Sequence, residues 1–323
     1  MERLLMTLVA LWMAGGAYAA EFGTLQSVKA ADLKSGPTVE VAAVPAASKG
    51  YVEPELPAVP IEWVTIEGSK FLMGTNTSGS IFADARPAHE VKIKTFEMTK
   101  TEITVEQYLE CLTTLNPATG KNWCTQPAQA AKLFDDRCNW GRPGRELHPV
   151  NCVTWEQAAQ YARFKGARLP SESEWEYAAT SGGKNQKYPW GNDDPTCDKA
   201  VMNEGGPYGP SAGYGCGKGG TWPVCSKPAG NTKLDGIPAD RQLCDMTGNL
   251  GEWVQDIYNN TYIGAPVDGG AYTGPGFTPA YEQRVERGGS FLYYEPQLRA
   301  DHRAHASILY TYDTIGFRLA RTR

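Results

Sequence analysis

Eight cysteines fall between Cys111 and Cys244, and no cysteine follows. They are Cys111, Cys124, Cys138, Cys152, Cys197, Cys216, Cys225 and Cys244, with no two spaced as C-x-x-C. That spacing argues against zinc ribbons and thioredoxin-type redox centres, which place their thiols two residues apart. Disulfide bonding is the favoured reading, with up to four bridges of about 2–4 kcal/mol each. Pairing of sequence neighbours (111 with 124, 138 with 152, 197 with 216, 225 with 244) is plausible, but eight cysteines allow roughly a hundred connectivities. A chain stapled in this way can fold with little regular secondary structure.

Disulfides need an oxidising compartment, and the N-terminus supplies a route to one. Residues 1–19 read as a secretory signal: Arg3 is a short positive start, Leu4 to Ala14 form an apolar stretch, and Ala17-Tyr18-Ala19 offers a small-x-small cleavage pattern. Cleavage near Ala19 leaves a periplasmic or secreted protein, with no cysteine at the cut to carry a lipid. No apolar run in the mature chain reaches the roughly 18 residues that a spanning helix needs, so no transmembrane segment is expected. The 36 acidic and 31 basic side chains give a net charge of −5, and no dense Lys/Arg stripe appears. Nucleic acid is therefore an unsuitable partner, since its phosphates call for a basic face.

Residues 20–59 are rich in Ala, Val and Pro and read as a flexible linker. From residue 60 to 323 the chain reads as one domain. Thr104-Val-Glu-Gln107, Thr154-Trp-Glu-Gln157 and Ser171-Glu-Ser-Glu174 each match the capping box and predict three helix starts. Gly166 and Gly182 are placed to end the second and third helices. His89 to Met98 alternates apolar and charged residues, as a half-buried antiparallel strand does. Short strands are also expected at Arg284–Arg287 and Ile315–Ala320. With 35 Gly and 22 Pro, much of the remainder must be turns and loops. A 41% hydrophobic content with 9 Trp and 16 Tyr still provides a core.

The motifs occur in a telling order. Arg168-Leu-Pro-Ser-Glu-Ser-Glu-Trp-Glu-Tyr-Ala-Ala179 is followed by Tyr188-Pro-Trp-Gly-Asn192, then by Cys244-Asp-Met-Thr-Gly-Asn-Leu-Gly-Glu-Trp-Val-Gln-Asp256. Arg287-Gly-Gly-Ser290 and Ile315-Gly-Phe-Arg-Leu-Ala320 close the series. Over residues 61–323 this resembles the sulfatase-modifying-factor family, the formylglycine-generating-enzyme-like proteins. The resemblance implies an α+β fold related to C-type lectins, low in regular secondary structure and often calcium-stabilised. The family's oxidases place a reactive Cys three residues after the Ser of Gly-Gly-Ser and another five residues later. Tyr293 and Leu298 stand at those positions here, and neither can act as a thiolate. The resemblance therefore implies the scaffold without formylglycine chemistry.

Asn249 and Glu252 match a calcium loop of the family, with Asn203 as the nearest candidate for a second site. Carboxylate, amide and backbone oxygens suit a hard cation. Gly251 replaces the usual aromatic residue between Asn249 and Glu252, and hydrogen bonds that simply fix the turn are the alternative. His302-Arg-Ala-His305 carries two of the four histidines; with Asp301 or Asp313 it could form a two-His, one-carboxylate site for iron, or hold copper. The plainer alternative is a polar, solvated loop. Ser290 with either histidine would suggest a nucleophilic triad, although its Gly-Gly-Ser turn points to a structural hydroxyl. The carboxylates Glu172, Glu174 and Glu176 are explained by their place at a helix start.

Phe291 to Thr314 gathers Tyr293, Tyr294, Tyr310 and Tyr312 together with Arg299, a composition suited to recognition. Three functions follow. The favoured one is an exported binding module for an unknown protein or small-molecule ligand. The others are a metal-dependent oxidoreductase, as some family relatives are non-haem iron or siderophore-tailoring oxidases, and a structural accessory of an envelope assembly.

Overall fold

Each of the three capping boxes starts an α-helix. In a computed structural model that describes residues 59–127, 137–206, 213–274 and 282–323, α1 is Val105–Thr113, α2 is Trp155–Phe164 and α3 is Glu172–Ala179. Thr104, Thr154 and Ser171 accept from the backbone N–H three residues on, and Gln107, Gln157 and Glu174 bond back to the cap. Gly166 follows α2 in the left-handed region, at φ 62°, which a glycine adopts without the steric penalty of a Cβ. Past α3, Ser181 and Gly182 both take positive φ and turn the chain. The leader expected at 1–19 and nearly all of the linker expected at 20–59 fall outside the described residues.

Nine short strands form three sheets among the described residues. β1 (Trp63–Ile66), β4 (Phe96–Thr99) and β9 (Ala320–Thr322) make one, in the order β1-β4-β9, and β2 (Lys70–Met73) pairs with β3 (His89–Lys92). The single strand expected over His89–Met98 is thus two. The chain leaves one sheet at Ile93, whose N–H bonds to Ser69 O, and enters the other at Phe96, which pairs with Ile66. The expected strand at Ile315–Ala320 is likewise divided, into β8 (Ile315–Gly316) and the start of β9.

The sheet that organises the site has the order β7-β6-β5-β8, from Ala304–Ser307, Gln283–Arg287, Gly251–Ile257 and Ile315–Gly316. β5 and β8 run parallel and the other pairs antiparallel. Side chains alternate across a strand, so successive residues reach opposite faces. Val254 and Val285 join the apolar cluster that contains α3, while Trp253, Ala306 and Ile315 join the cluster that contains α1 and α2. This sheet is therefore buried on both faces. β5 occupies the segment that the sequence presents as a calcium loop, and His305, expected in a solvated loop, lies in β7.

All eight cysteines are bonded, each to its sequence neighbour: Cys111–Cys124, Cys138–Cys152, Cys197–Cys216 and Cys225–Cys244. These short loops staple the region between α1 and β5, which holds α2 and α3 but no strand among the described residues. Beyond α3 the described residues hold no further α-helix, only 3-10 turns such as Glu295–Leu298.

Candidate functional site

Arg287 at the end of β6 points toward α3 and is fully buried. It donates to Glu172 Oε1 at 2.8 Å, Glu176 Oε2 at 2.5 Å, the Tyr262 hydroxyl at 3.1 Å and Ala300 O at 2.5 Å. Arg303 reaches the same Glu172 carboxylate through Nε at 2.6 Å and a terminal nitrogen at 2.9 Å. Burial alone would raise the Glu172 pKa, but Arg303 and Arg287 outweigh it and hold the carboxyl below its usual range. A second pair is built the same way: Arg318 donates to both oxygens of Glu252, which also accepts from the Trp175 indole at 2.8 Å. The acidic start of α3 is thus an internal ion-pair network, and the helix dipole explains only part of it.

Glu286, the residue before Arg287, faces the other side of the sheet. Its cross-strand partners are Trp253 and Ala304. The side chain is buried, and Oε1 has no hydrogen-bond partner. Among the described residues no cation pairs with it: Arg287 faces the other side of the sheet, and Arg284, on the same face two residues away, is bonded to Glu282 and to Gln255 O. Burial accordingly pushes its carboxyl up to about 8. The carboxyl occupies the space over Gly251, where any Cβ would run into Oε1. The absent aromatic at position 251 thus has a steric counterpart in Glu286. On the loop side, the Glu286 charge is the first cause raising the Tyr293 phenol, ahead of burial and Asp313. It also raises Tyr312, after burial of that ring. Tyr312 packs edge-on against Trp253, with centroids 6.2 Å apart.

The other expected site residues scatter. Leu298, at one thiol position, is fully buried among Tyr188, Trp190, Ala200 and Met202. Tyr293, at the other, is half-buried, and its carbonyl accepts from Asn203 N at 2.8 Å. Tyr294 precedes the 295–298 turn, and Tyr310 is 63% exposed. Arg299 is held by Asp301 through two bonds and lies over Phe82, so it is not a free cation for a ligand. Ser290 is buried, and its Oγ accepts from Leu292 N at 3.2 Å, as a turn-stabilising hydroxyl does.

His302 and His305 turn to different partners. His302 packs edge-on to Phe82, and burial followed by the Arg287 charge lowers it to about 4. His305 lies 3.9 Å from the Tyr258 ring centroid. Among the described residues no group of three His, Cys, Asp or Glu side chains could hold a metal, so this pair does not fit the two-His, one-carboxylate site.

At the calcium-loop segment the side-chain oxygens of Asn249 and Glu252 already have protein donors. Glu252 is consumed by Arg318 and Trp175, while Asn249 Oδ1 accepts from Trp222 N at 3.0 Å. Asn249 Nδ2 donates to Glu102, a buried carboxyl that also accepts from Leu250 N. These are the bonds that the turn-fixing alternative expects. Asn203 differs: its Oδ1 is buried with no partner among the described residues.

A family model for the sulfatase-modifying factor enzyme 1-like domain matches residues 52–323. The chain belongs to this family. It is 32% identical over 267 residues to serine/threonine-protein kinase Pkn1 of Chlamydia trachomatis, covering 80% of this chain and 38% of that protein. The chain thus spans about two fifths of that relative's length. It is also 28% identical over 270 residues to the formylglycine-generating enzyme of Streptomyces coelicolor, covering 72% of this chain and 79% of the relative. Among solved structures it is similar to PvdO from Pseudomonas aeruginosa, with a TM-score of 0.57, 27% identity, and 81% and 94% of the two chains covered. The mixed α and β architecture, with few helices and four disulfides, is that of the family and its C-type-lectin-like fold.

Sequence reasoning missed Glu286 and the buried arginines, since charged residues on a short strand ordinarily mark a solvated face. One signal was available: a carboxylate beside Arg287-Gly-Gly-Ser290 in a chain that also lacks the aromatic at 251.

Proposed function

We propose that this protein is an exported ligand-binding member of the family that makes no formylglycine, and that it binds through the C-terminal loops around Tyr293, Tyr310 and Tyr312. The observation that carries this is the fate of the two thiol positions. One is a leucine sealed into an apolar cluster, and the other is a half-buried tyrosine beside the buried acid Glu286. Such a surface offers large, stiff contact area and a carboxyl in place of redox chemistry. The four disulfides favour an oxidising compartment, in keeping with the leader at 1–19. A structural calcium ion would take Asn203 Oδ1 as one of several oxygen ligands, and a fall in Tm on chelation tests that site.

Two measurements test the main reading. A sulfatase-motif cysteine peptide incubated in air with the protein and copper should keep its mass; conversion to the aldehyde would overturn the reading. A phage library of short random peptides should enrich on wild type and not on a Tyr293→Ala, Tyr310→Ala double variant. No enrichment on wild type would overturn the binding role.

A further inference from the structure

Six glutamates are buried among the described residues: Glu102, Glu172, Glu174, Glu176, Glu252 and Glu286. Five have donors. Glu102 accepts from Asn249 and Leu250 N, Glu174 from Arg168 and Ser171 N, and Glu176 from Arg287 and Gly74 N, while Glu172 and Glu252 hold the guanidiniums described above. Glu286 alone has neither a cation nor a hydrogen-bonded N–H among the described residues. A buried carboxyl without a partner costs stability and is rare in native proteins. A fold that supplies partners to five such groups and leaves the sixth open is consistent with a partner that comes from outside.

The surroundings say what that partner is. Tyr293 and Tyr312 are half-buried phenols, and the Glu286 charge opposes the ionisation of both. Asp313 adds a second negative charge acting on Tyr293, tempered by Arg137 at 3.6 Å. Negative potential beside aromatic rings favours a cation, through ion pairing and through the ring quadrupoles. A divalent metal is a poorer match, since it needs several oxygen ligands and one carboxyl is offered.

We propose that Glu286 is the recognition residue for a cationic side chain, the ammonium or guanidinium of a lysine or arginine in a peptide ligand, bound beside Tyr293 and Tyr312. This deepens the binding role proposed above and rests on it. The bound cation draws the proton from the buried acid, so binding releases a proton near neutral pH.

The peptide pool enriched on wild type provides the test. Lys or Arg should be enriched at one position, and that preference should vanish on Glu286→Gln, which keeps the size and removes the charge. A winning peptide and its norleucine or citrulline counterpart are then titrated calorimetrically in two buffers of different ionisation enthalpy. The cationic peptide should bind wild type at least about tenfold more tightly with proton release, a difference of about 1.4 kcal/mol. Glu286→Gln should abolish both the gap and the proton release. Enrichment without a cationic preference, or a preference that survives Glu286→Gln, overturns the recognition role and leaves the binding role standing. No enrichment at all overturns both. Thermal unfolding of Glu286→Gln confirms that the variant is folded before any loss of binding is assigned to the charge.

Discussion

Glu286 and Arg287 are neighbours on β6, both buried, and the pleat sends them to opposite faces. Arg287 meets two carboxylates, a phenol and a backbone carbonyl. Glu286 fills the space over Gly251, and its charge opposes the ionisation of two phenols, Tyr293 and Tyr312. Both terminal nitrogens of Arg287 are served by the fold and only its Nε lacks a partner, whereas Oε1 of Glu286 is buried with none and no cation pairs with that carboxyl among the described residues. Charged groups are buried in proteins for different reasons, and the inventory of partners separates them: the α3 face is architecture, whereas the Glu286 face is left for something else to complete.

The largest effect should come from breaking the served side. Arg287→Met removes the shared partner of Glu172 and Glu176, leaving Glu176 without its guanidinium in a buried site. Removing one member of a buried pair costs about 3–5 kcal/mol. Urea unfolding of the variant should show a loss of that size, and a loss below about 1 kcal/mol would mean that the network is not what holds α3 to β6.

The next effect has the opposite sign and depends on pH. Burial raises the folded-state Glu286 carboxyl to about 8, against a reference value of 4.5. A group whose folded pKa is raised stabilises the fold fully below its unfolded pKa, and that stability is lost as pH rises through the folded pKa. Wild type therefore loses stability between about pH 4.5 and 8 from this group, roughly 4 kcal/mol at the upper end. Glu286→Gln removes the titration. The two proteins should be of similar stability at pH 5, and the variant the more stable at pH 8. Buried Asp245 and Asp256, also raised by burial, are common to both proteins and cancel in the difference. A difference independent of pH would show that Glu286 finds a partner in solution.

The same contrast explains what was readable in advance. The capping boxes at Thr104, Thr154 and Ser171 were legible because a cap is a local device: the residues that make the bonds lie within one turn. The sequence-neighbour disulfides were legible only as one arrangement among many, since nothing in the spacing ranks it above the rest. The short strand expected at Arg284–Arg287 has Val285 as its only apolar residue, yet Glu286 and Arg287 are buried. What buries them is far away in the chain: Glu172 is 115 residues from Arg287, and Gly251 makes its room from the neighbouring strand. The metal readings of Asn249, Glu252, His302 and His305 followed residue type, and the geometry gives Asn249 and Glu252 hydrogen-bonding protein partners and sets His302 and His305 against the separate rings of Phe82 and Tyr258. Donor chemistry can be read from a sequence, whereas the competition for each donor is decided by tertiary contacts.

The smallest expected effect on stability lies at the rim. Tyr310 is 63% exposed and follows Leu309 at 58%, so neither ring nor side chain contributes much buried surface. Substitution at such a position ordinarily changes stability by no more than about 0.5 kcal/mol. Tyr310→Ala should therefore leave the unfolding curve almost unmoved while weakening capture of the enriched peptide severalfold, mainly through faster dissociation. This separates the two regions more cleanly than either buried variant, because Arg287→Met and Glu286→Gln both alter the folded state. If Tyr310→Ala lowers stability by more than about 1 kcal/mol, the loop is part of the core and its tyrosines are packing residues. If stability and capture are both unchanged, recognition is confined to Tyr293, Tyr312 and the acid beneath them.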